Sequence, residues 1–339
     1  MEKTSNLIDK AHSRRVFLAG AGTAAAAGLI AGCGGKSSSP ATTTTSPTTS
    51  YTDADILNFA LNLEYLEAQF YLYAATGKGL EATDTAAPSG YSGSYTQGTV
   101  TVGNATQVAG LSSAQQEIIN EIAYEEQEHV RFLRSALGSA AVPMPSIDLS
   151  FFGPLAIAAG ILTSSQPAFN PFATFDAFLV GSFIFEDVGV TAYAGAAPLI
   201  SAAGVSAGYL TAAAGIMGVE AYHAAYVRTA ITAGAIAAGS ATAFPYITYA
   251  NQVAALRATL TVGASAAPGT TGSVETALTL PASMTSASSI VAASPTTAVG
   301  FSRTVDQVLH IVYGSPTVGV AKGGFFPSGT NSIFATTTA

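Results

Sequence analysis

Residues 122–134 read IAYEEQEHVRFLR and residues 216–228 read IMGVEAYHAAYVR. Each contains Glu-x-x-His, Glu126 with His129 and Glu220 with His223, and an arginine five residues after the histidine, Arg134 and Arg228. Residues three apart on an α-helix share a face, so each pair aims a carboxylate and an imidazole the same way. Apolar residues keep the same period around them: Ile122, Leu133 and Ala136 in the first stretch, Ile216, Val227 and Ala230 in the second. Both stretches are expected to be helices whose otherwise apolar stripe carries these polar groups.

Two further stripes complete the pattern. Leu57, Ala60, Glu64, Glu67 and Tyr71 recur at three and four residues, with Asp53 and Asp55 at the expected helix start and Gly77 and Gly79 at its end. Leu179, Ser182, Glu186, Gly189 and Tyr193 do the same in a helix expected over residues 171–195. A shift of 122 residues lays Leu57 on Leu179, Glu64 on Glu186 and Tyr71 on Tyr193, and a shift of 94 lays Glu126 on Glu220, His129 on His223 and Arg134 on Arg228. The chain therefore reads as one helical hairpin used twice. Its second helix is expected to start near Ser112 and Ser113, with Gln116 in capping-box position to Ser113, and to end at Gly138. The fourth is expected over residues 203–234, and a long connection over 139–170, rich in proline, crosses between the hairpins. The fold class is all-α, a four-helix bundle over residues 53–235.

Composition narrows the function. The chain has 339 residues, 49% hydrophobic and only 9% charged, where roughly 25% charged is ordinary. That excludes a solvated disordered protein. A net charge of −8 with only 12 Lys+Arg argues against nucleic acid as a partner. The single cysteine excludes a disulfide framework and a cysteine-based zinc cluster. The uncharged run from Val188 to Val219 is long enough to suggest a membrane span, but Pro198 and several glycines interrupt it, so two buried helices with a turn are expected.

The N-terminus carries separate information. Ser13-Arg14-Arg15-Val16-Phe17-Leu18 resembles a twin-arginine export signature, and Leu29-Ile30-Ala31-Gly32-Cys33 resembles a bacterial lipoprotein box. Residues 1–33 are expected to be a signal peptide, with Cys33 lipidated, and the alternative is a retained anchor helix. Residues 34–52, rich in Ser, Thr and Pro, read as a tether. The expected location is the periplasm or cell surface, with membrane contact through the lipid alone.

A buried carboxylate is costly unless it is paired or bound to metal. Carboxylates offer hard oxygen donors that can bridge two divalent ions, and imidazole suits iron, manganese or zinc. Beyond Cys33 the histidines are His129, His223 and His310, and two of them fall in Glu-x-x-His. The segments LNLEYLEAQFY, EEQEHVRFL and VEAYHAAYV resemble the ferritin-like superfamily, which includes bacterioferritin, rubrerythrin and manganese catalase. FSRTVDQVLHIVYG and GGFFPSGTNS near the end are similar to the tail of its desiccation-related family. The resemblance implies two metal ions, iron or manganese, held by Glu64, Glu126, His129, Glu186, Glu220 and His223, with each histidine on one ion and glutamates bridging.

Other residues keep alternatives open. Glu67, whose repeat mate is Gly189, can be an extra ligand, a proton acceptor or a support to the ligands. Tyr71 and Tyr193 can donate to ligand carboxylates, act as redox phenols or simply fill the core. Arg134 and Arg228 are expected to favour helix ends over acid pairing. Glu121, Glu125 and Glu128 read as a solvated face, with Glu128 placed to pair with Arg131, and Asp187 suits inter-helix hydrogen bonding. His310 reads as a core or surface residue rather than a ligand. Residues 236–339 are expected to form a mostly irregular extension on the bundle or in a homo-oligomer contact, with Gly323–Pro327 planting two aromatics on another surface.

The expected function is an envelope-anchored redox protein acting on peroxide or oxygen, catalase-like or ferroxidase-like. The alternative is a non-enzymatic protein of desiccation or stress protection, and a mineral-storing cage is disfavoured by the bulky extension and the tether.

Overall fold

The computed structural model describes residues 51–92, 94–261, 274–279, 290–294 and 296–338. Cys33 and the expected signal peptide lie outside the described residues, as does all of the tether except Tyr51 and Thr52.

Helix α1 spans Asp53–Thr76. Its N-cap is Thr52, one residue before the acids that the sequence suggested: Thr52 Oγ1 accepts from the Asp55 amide while Asp55 accepts from the Thr52 amide at 2.8 Å. Asp53 instead accepts from the amide and hydroxyl of Ser201, at 2.8 and 2.6 Å, tying α1 to the far end of the bundle. Gly77 ends the helix at φ 72°, where a side chain would be strained. A one-turn helix α2, Ala82–Thr85, and a two-residue strand β1, Val100–Thr101, follow. Helix α3 spans Ser113–Leu137, capped by Ser112 with Gln115 as the reciprocal partner, one residue earlier than expected. The crossover carries β2, Ile147–Asp148, parallel to β1, and helix α4, Phe152–Ala158.

Helix α5 spans Phe175–Ala196 and starts later than expected because the Thr174 hydroxyl accepts from the Ala177 amide. The expected fourth helix is divided. A short α6, Ala202–Ser206, is cut off at Gly208, whose φ of 90° breaks the helix, and α7 then runs Tyr209–Ala237. A turn thus separates α5 from α7, as the prolines and glycines indicated. Among the described residues one segment, Phe175–Leu199, is long and apolar enough to cross a membrane, but 83% of its apolar window is buried inside the protein. It is the central helix of the core.

Helices α1 and α3 pack as one hairpin, α5 and α7 as the other, and α1 meets α5 across the middle. The described part of the extension is mostly irregular but adds helices α8, Tyr246–Leu260, and α9, Val305–Val312. Gly323–Pro327 plants its aromatics on the bundle itself. Phe325 stacks edge-on against Phe152 and Phe185, which also pack on Phe70, and Phe326 is fully buried. Asn331 exchanges hydrogen bonds with Asn62 of α1, its amide donating to Asn62 Oδ1 at 2.8 Å. His310 is buried with Nδ1 2.6 Å from the Ser315 carbonyl, a satisfied core histidine.

Arg228 departs from the helix-end role expected of it. It lies inside α7, 1% exposed, with its guanidinium 2.8 Å from Asp187 of α5. Arg257 of α8 reaches the same carboxylate oxygen at 3.1 Å and pairs with Glu275 at 2.6 Å, and Glu275 also pairs with Arg303. Both Arg228 and Arg257 lie over the Phe183 ring, at 5.4 and 4.8 Å. Arg134 does sit in the last turn of α3, where it donates to the hydroxyls of Tyr65 and Tyr95. Removing one partner from a buried ionic cluster strands the others without compensation. Asp187→Ala is therefore expected to destabilise the fold by about 3 kcal/mol, read as a lower midpoint in urea with an unchanged denaturant slope.

Candidate metal centre

The four long helices bring all six expected ligands to one place. Glu64 projects from α1, Glu126 and His129 from α3, Glu186 from α5, and Glu220 and His223 from α7, each 7% exposed or less. They form two groups: Glu64, Glu126, His129 and Glu220 in one, Glu126, Glu186 and His223 in the other, with the donor atoms of each within 4.8 Å of one another. Glu126 belongs to both groups and sits between them. His129 Nδ1 lies 3.3 Å from Glu64, 3.5 Å from Glu126 and 3.6 Å from Glu220. His223 Nδ1 lies 3.2 Å from Glu126 and 3.4 Å from Glu186.

The donor atoms themselves test whether metal fits. Glu64 Oε2, both oxygens of Glu126 and of Glu220, Glu186 Oε2, and Nδ1 of both histidines are buried and make no hydrogen bond. Buried polar atoms of a folded protein are otherwise nearly all satisfied. Hard oxygen donors and imidazole nitrogens left open toward a common centre are the donor set that divalent first-row ions take. The residues fit two such ions.

The remaining oxygens of two ligands are held across the bundle. Tyr71 of α1 donates to Glu186 Oε1 on α5, and Tyr193 of α5 donates to Glu64 Oε1 on α1. The tyrosines thus exchange partners between the hairpins, as the internal repeat requires, and each turns the free oxygen of its carboxylate toward the centre. Glu67 is buried nearby but joins neither group. Burial, then the carboxylates of Glu126, Glu64 and Glu186, push its proton affinity well above the usual range.

One supporting residue was not visible as such in the sequence. Glu125, expected on a solvated face, is half-buried and lies 2.6 Å from His223 Nε2. A carboxylate can only accept here, so Nε2 carries a proton and Nδ1 is the nitrogen left facing the centre. The neighbouring pair Glu128–Arg131 does form, at 2.7 Å, and Arg131 also holds Asp84. Asp187 makes the expected inter-helix contacts and is no ligand.

The repeat is broken at Gly189, the mate of Glu67. A Cβ there would meet Glu220 Oε2 at 2.3 Å. Gly189→Ala is expected to displace that carboxylate and weaken metal binding on the order of tenfold, with helix content by circular dichroism unchanged.

A four-helix bundle with this inward carboxylate and imidazole set defines a ferritin-like protein. Residues 52–233 match the family model described as the ferritin-like domain, and the chain belongs to that family. It is 28% identical over 291 residues to the ferritin-like catalase Nec2 of Nesocodon mauritianus, covering 84% of this chain and 85% of that one. It is 34% identical over 179 residues to the desiccation-related protein PCC13-62 of Craterostigma plantagineum, covering 52% of each. No solved structure matches the chain.

In the metal-free protein, burial alone would lower the imidazole pKa values, but the facing carboxylates outweigh it, raising His129 to about 11 and His223 to about 12. Burial likewise raises Glu126, yet the two imidazoles bring it down to about 2. The histidine contribution to metal-free stability is therefore complete below the unfolded pKa near 6.5 and is lost as pH rises through the folded values. Nδ1 must shed its proton to ligate. Metal uptake at pH 7 is expected to release more than two protons per chain, one from each histidine and the rest from buried ligand carboxylates such as Glu220, and apparent affinity to tighten as pH rises. Calorimetry in buffers of differing ionisation enthalpy counts those protons.

Proposed function

We propose that the protein is an oxidoreductase in which a dinuclear centre of iron or manganese disproportionates hydrogen peroxide, two peroxides giving one oxygen and two waters. The observation that carries this reading is the set of buried carboxylate and imidazole donors that make no hydrogen bonds and face one centre. The relative named as a ferritin-like catalase, matched over most of both chains, supports peroxide as the substrate. When bound, the two ions would supply the two-electron redox chemistry.

The chain's own residues do the rest. Glu64, Glu126, His129, Glu186, Glu220 and His223 would hold the ions, with Glu126 common to both donor groups. Tyr71 and Tyr193 fix the orientation of Glu186 and Glu64 by donating to their outer oxygens. Glu67 is assigned as the proton store: it is outside both ligand groups and its carboxyl holds a proton more tightly than an ordinary glutamate. A small pocket beside Glu67 is walled by Leu63, Leu66, Val188, Val312 and Phe325, which keeps the α1–α5 side of the centre apolar.

The order of basic, apolar and small residues before Cys33 supports export and lipid anchoring of this enzyme in the bacterial envelope. The relative named as desiccation-related supports a second reading, a stress-protective protein whose metal serves structure alone.

Protein loaded with manganese or iron is expected to evolve oxygen from peroxide, measured at an oxygen electrode. The double substitution Glu126→Ala with His129→Ala is expected to bring bound metal, by elemental analysis, from about two ions per chain to near zero and to abolish turnover. Full metal content without turnover of peroxide favours the structural reading, and oxidation of Fe(II) without peroxide turnover favours a ferroxidase.

A further inference from the structure

The two halves of the centre are not equivalent, and the difference lies on one side of the bundle. Between α3 and α7 a cleft of about 260 Å³ opens from the surface, lined by Ile118, Glu121, Glu125, Val219, Tyr222 and His223. A water requires roughly 15 Å³ by the same measure, so the cleft has room for a hydrated ion. Glu121 and Tyr222 are exposed toward the outside, while His223 is 5% exposed at the inner end. Glu125 stands between them, its side chain 34% exposed and its carboxylate 2.6 Å from His223 Nε2. The opposite, α1–α5 side is covered by Val312 and Phe325 of the extension.

The internal repeat shows what is special here. A shift of 94 residues lays Glu125 on Val219, so the residue that corresponds to Glu125 on α7 has no acceptor to offer His129. Of the two imidazoles, His223 has a carboxylate on its outer nitrogen and an acid-lined approach beside it. His223 Nδ1, which makes no hydrogen bond, faces Glu126 and Glu186 on the inner side of the same ring. Negative groups in a cleft raise the local concentration of cations.

We propose that Glu125 is the positioning residue of the half-site built on Glu126, Glu186 and His223, and that the cleft beside it makes this half-site the one divalent cations enter first. Glu125 fixes the proton on Nε2 and the plane of the ring, so Nδ1 is the nitrogen aimed at an arriving ion and the one that gives up its proton to it. The half-site of Glu64, His129 and Glu220 fills second, with Glu126 shared between the two groups. This assignment rests on the dinuclear reading of the centre.

Cobalt(II) is a suitable probe because its visible spectrum reports each ligated ion without any turnover. The wild-type chain is expected to take up two Co(II) in two resolved steps. Glu125→Ala is expected to slow the first step at least tenfold and to weaken one of the two sites by roughly 10- to 100-fold. Glu125→Gln, which keeps an acceptor for Nε2, is expected to restore that affinity to within about threefold while the uptake rate loses part of its dependence on ionic strength. Ile118→Trp, two turns from the nearest ligand and on the cleft wall, is expected to slow uptake with the final count still two. Two-step loading that Glu125→Ala leaves unchanged, or equal weakening of both sites that Glu125→Gln does not rescue, overturns the assignment while the centre stands. A wild-type chain that takes up no Co(II) overturns both.

Discussion

Four carboxylates and two imidazoles are buried together in the middle of the bundle, and much of the rest of the fold follows from making that tolerable. Like charges at such distances in a low-dielectric interior repel strongly, and isolated ions there lose most of their hydration. Without metal, two imidazolium groups offset part of the acid, and protonation of Glu67 and Glu220, whose proton affinities burial raises well above the usual range, offsets more. On the proposed reading, two divalent cations would offset four carboxylates completely, and protons would leave as metal enters.

The bundle's symmetry comes from the repeated hairpin, and its asymmetry comes from substitutions within that repeat together with the extension. The twofold exchange of Tyr71 and Tyr193 between the hairpins joins α1 to α5 at the centre itself. Superimposed on it are three departures: Glu67 corresponds to Gly189, Glu125 corresponds to Val219, and Val312 and Phe325 of the extension cover the α1–α5 side. Gly189 is small because Glu220 occupies the space that a side chain would need. A duplicated hairpin with equal halves would bind two ions alike. These substitutions give the halves different neighbours while the six donors stay paired.

The donors were legible in the sequence because they fall on apolar stripes, where a charged residue is conspicuous. Glu64, Glu126, Glu186 and Glu220 each stand at a position that periodicity assigns to the core, and the chain has few other charges to confuse them. Residues one step off the stripe left no such signal. Glu125 precedes Glu126 by one residue and looks like part of a solvated acidic run, yet it lies against His223 of α7. Arg228 looked like a helix-end cation because the expected helix ended near residue 234, whereas α7 runs on to Ala237 and leaves Arg228 well inside it. Its partners Asp187, Arg257 and Glu275 are scattered along the chain, and no local pattern links them. The Thr52, Ser112 and Thr174 caps lay within a few residues of expectation, since several hydroxyls and acids near each start compete for the same amide.

The extension does more than cover the bundle. Asp187 follows the ligand Glu186 directly and accepts from Arg228 of α7 and Arg257 of α8. Arg303, just before α9, donates to Thr191 Oγ1 at 2.6 Å, one turn further along α5. Asn331 holds Asn62, two residues before the ligand Glu64. The helices that carry Glu64 and Glu186 are therefore gripped from outside near their ligands, whereas α3 and α7 face each other across the open cleft. On the proposed reading, a centre that holds carboxylates still on one side and admits ions on the other needs this division, and the described parts of the extension provide it by bracing α1 and α5 next to Glu64 and Glu186.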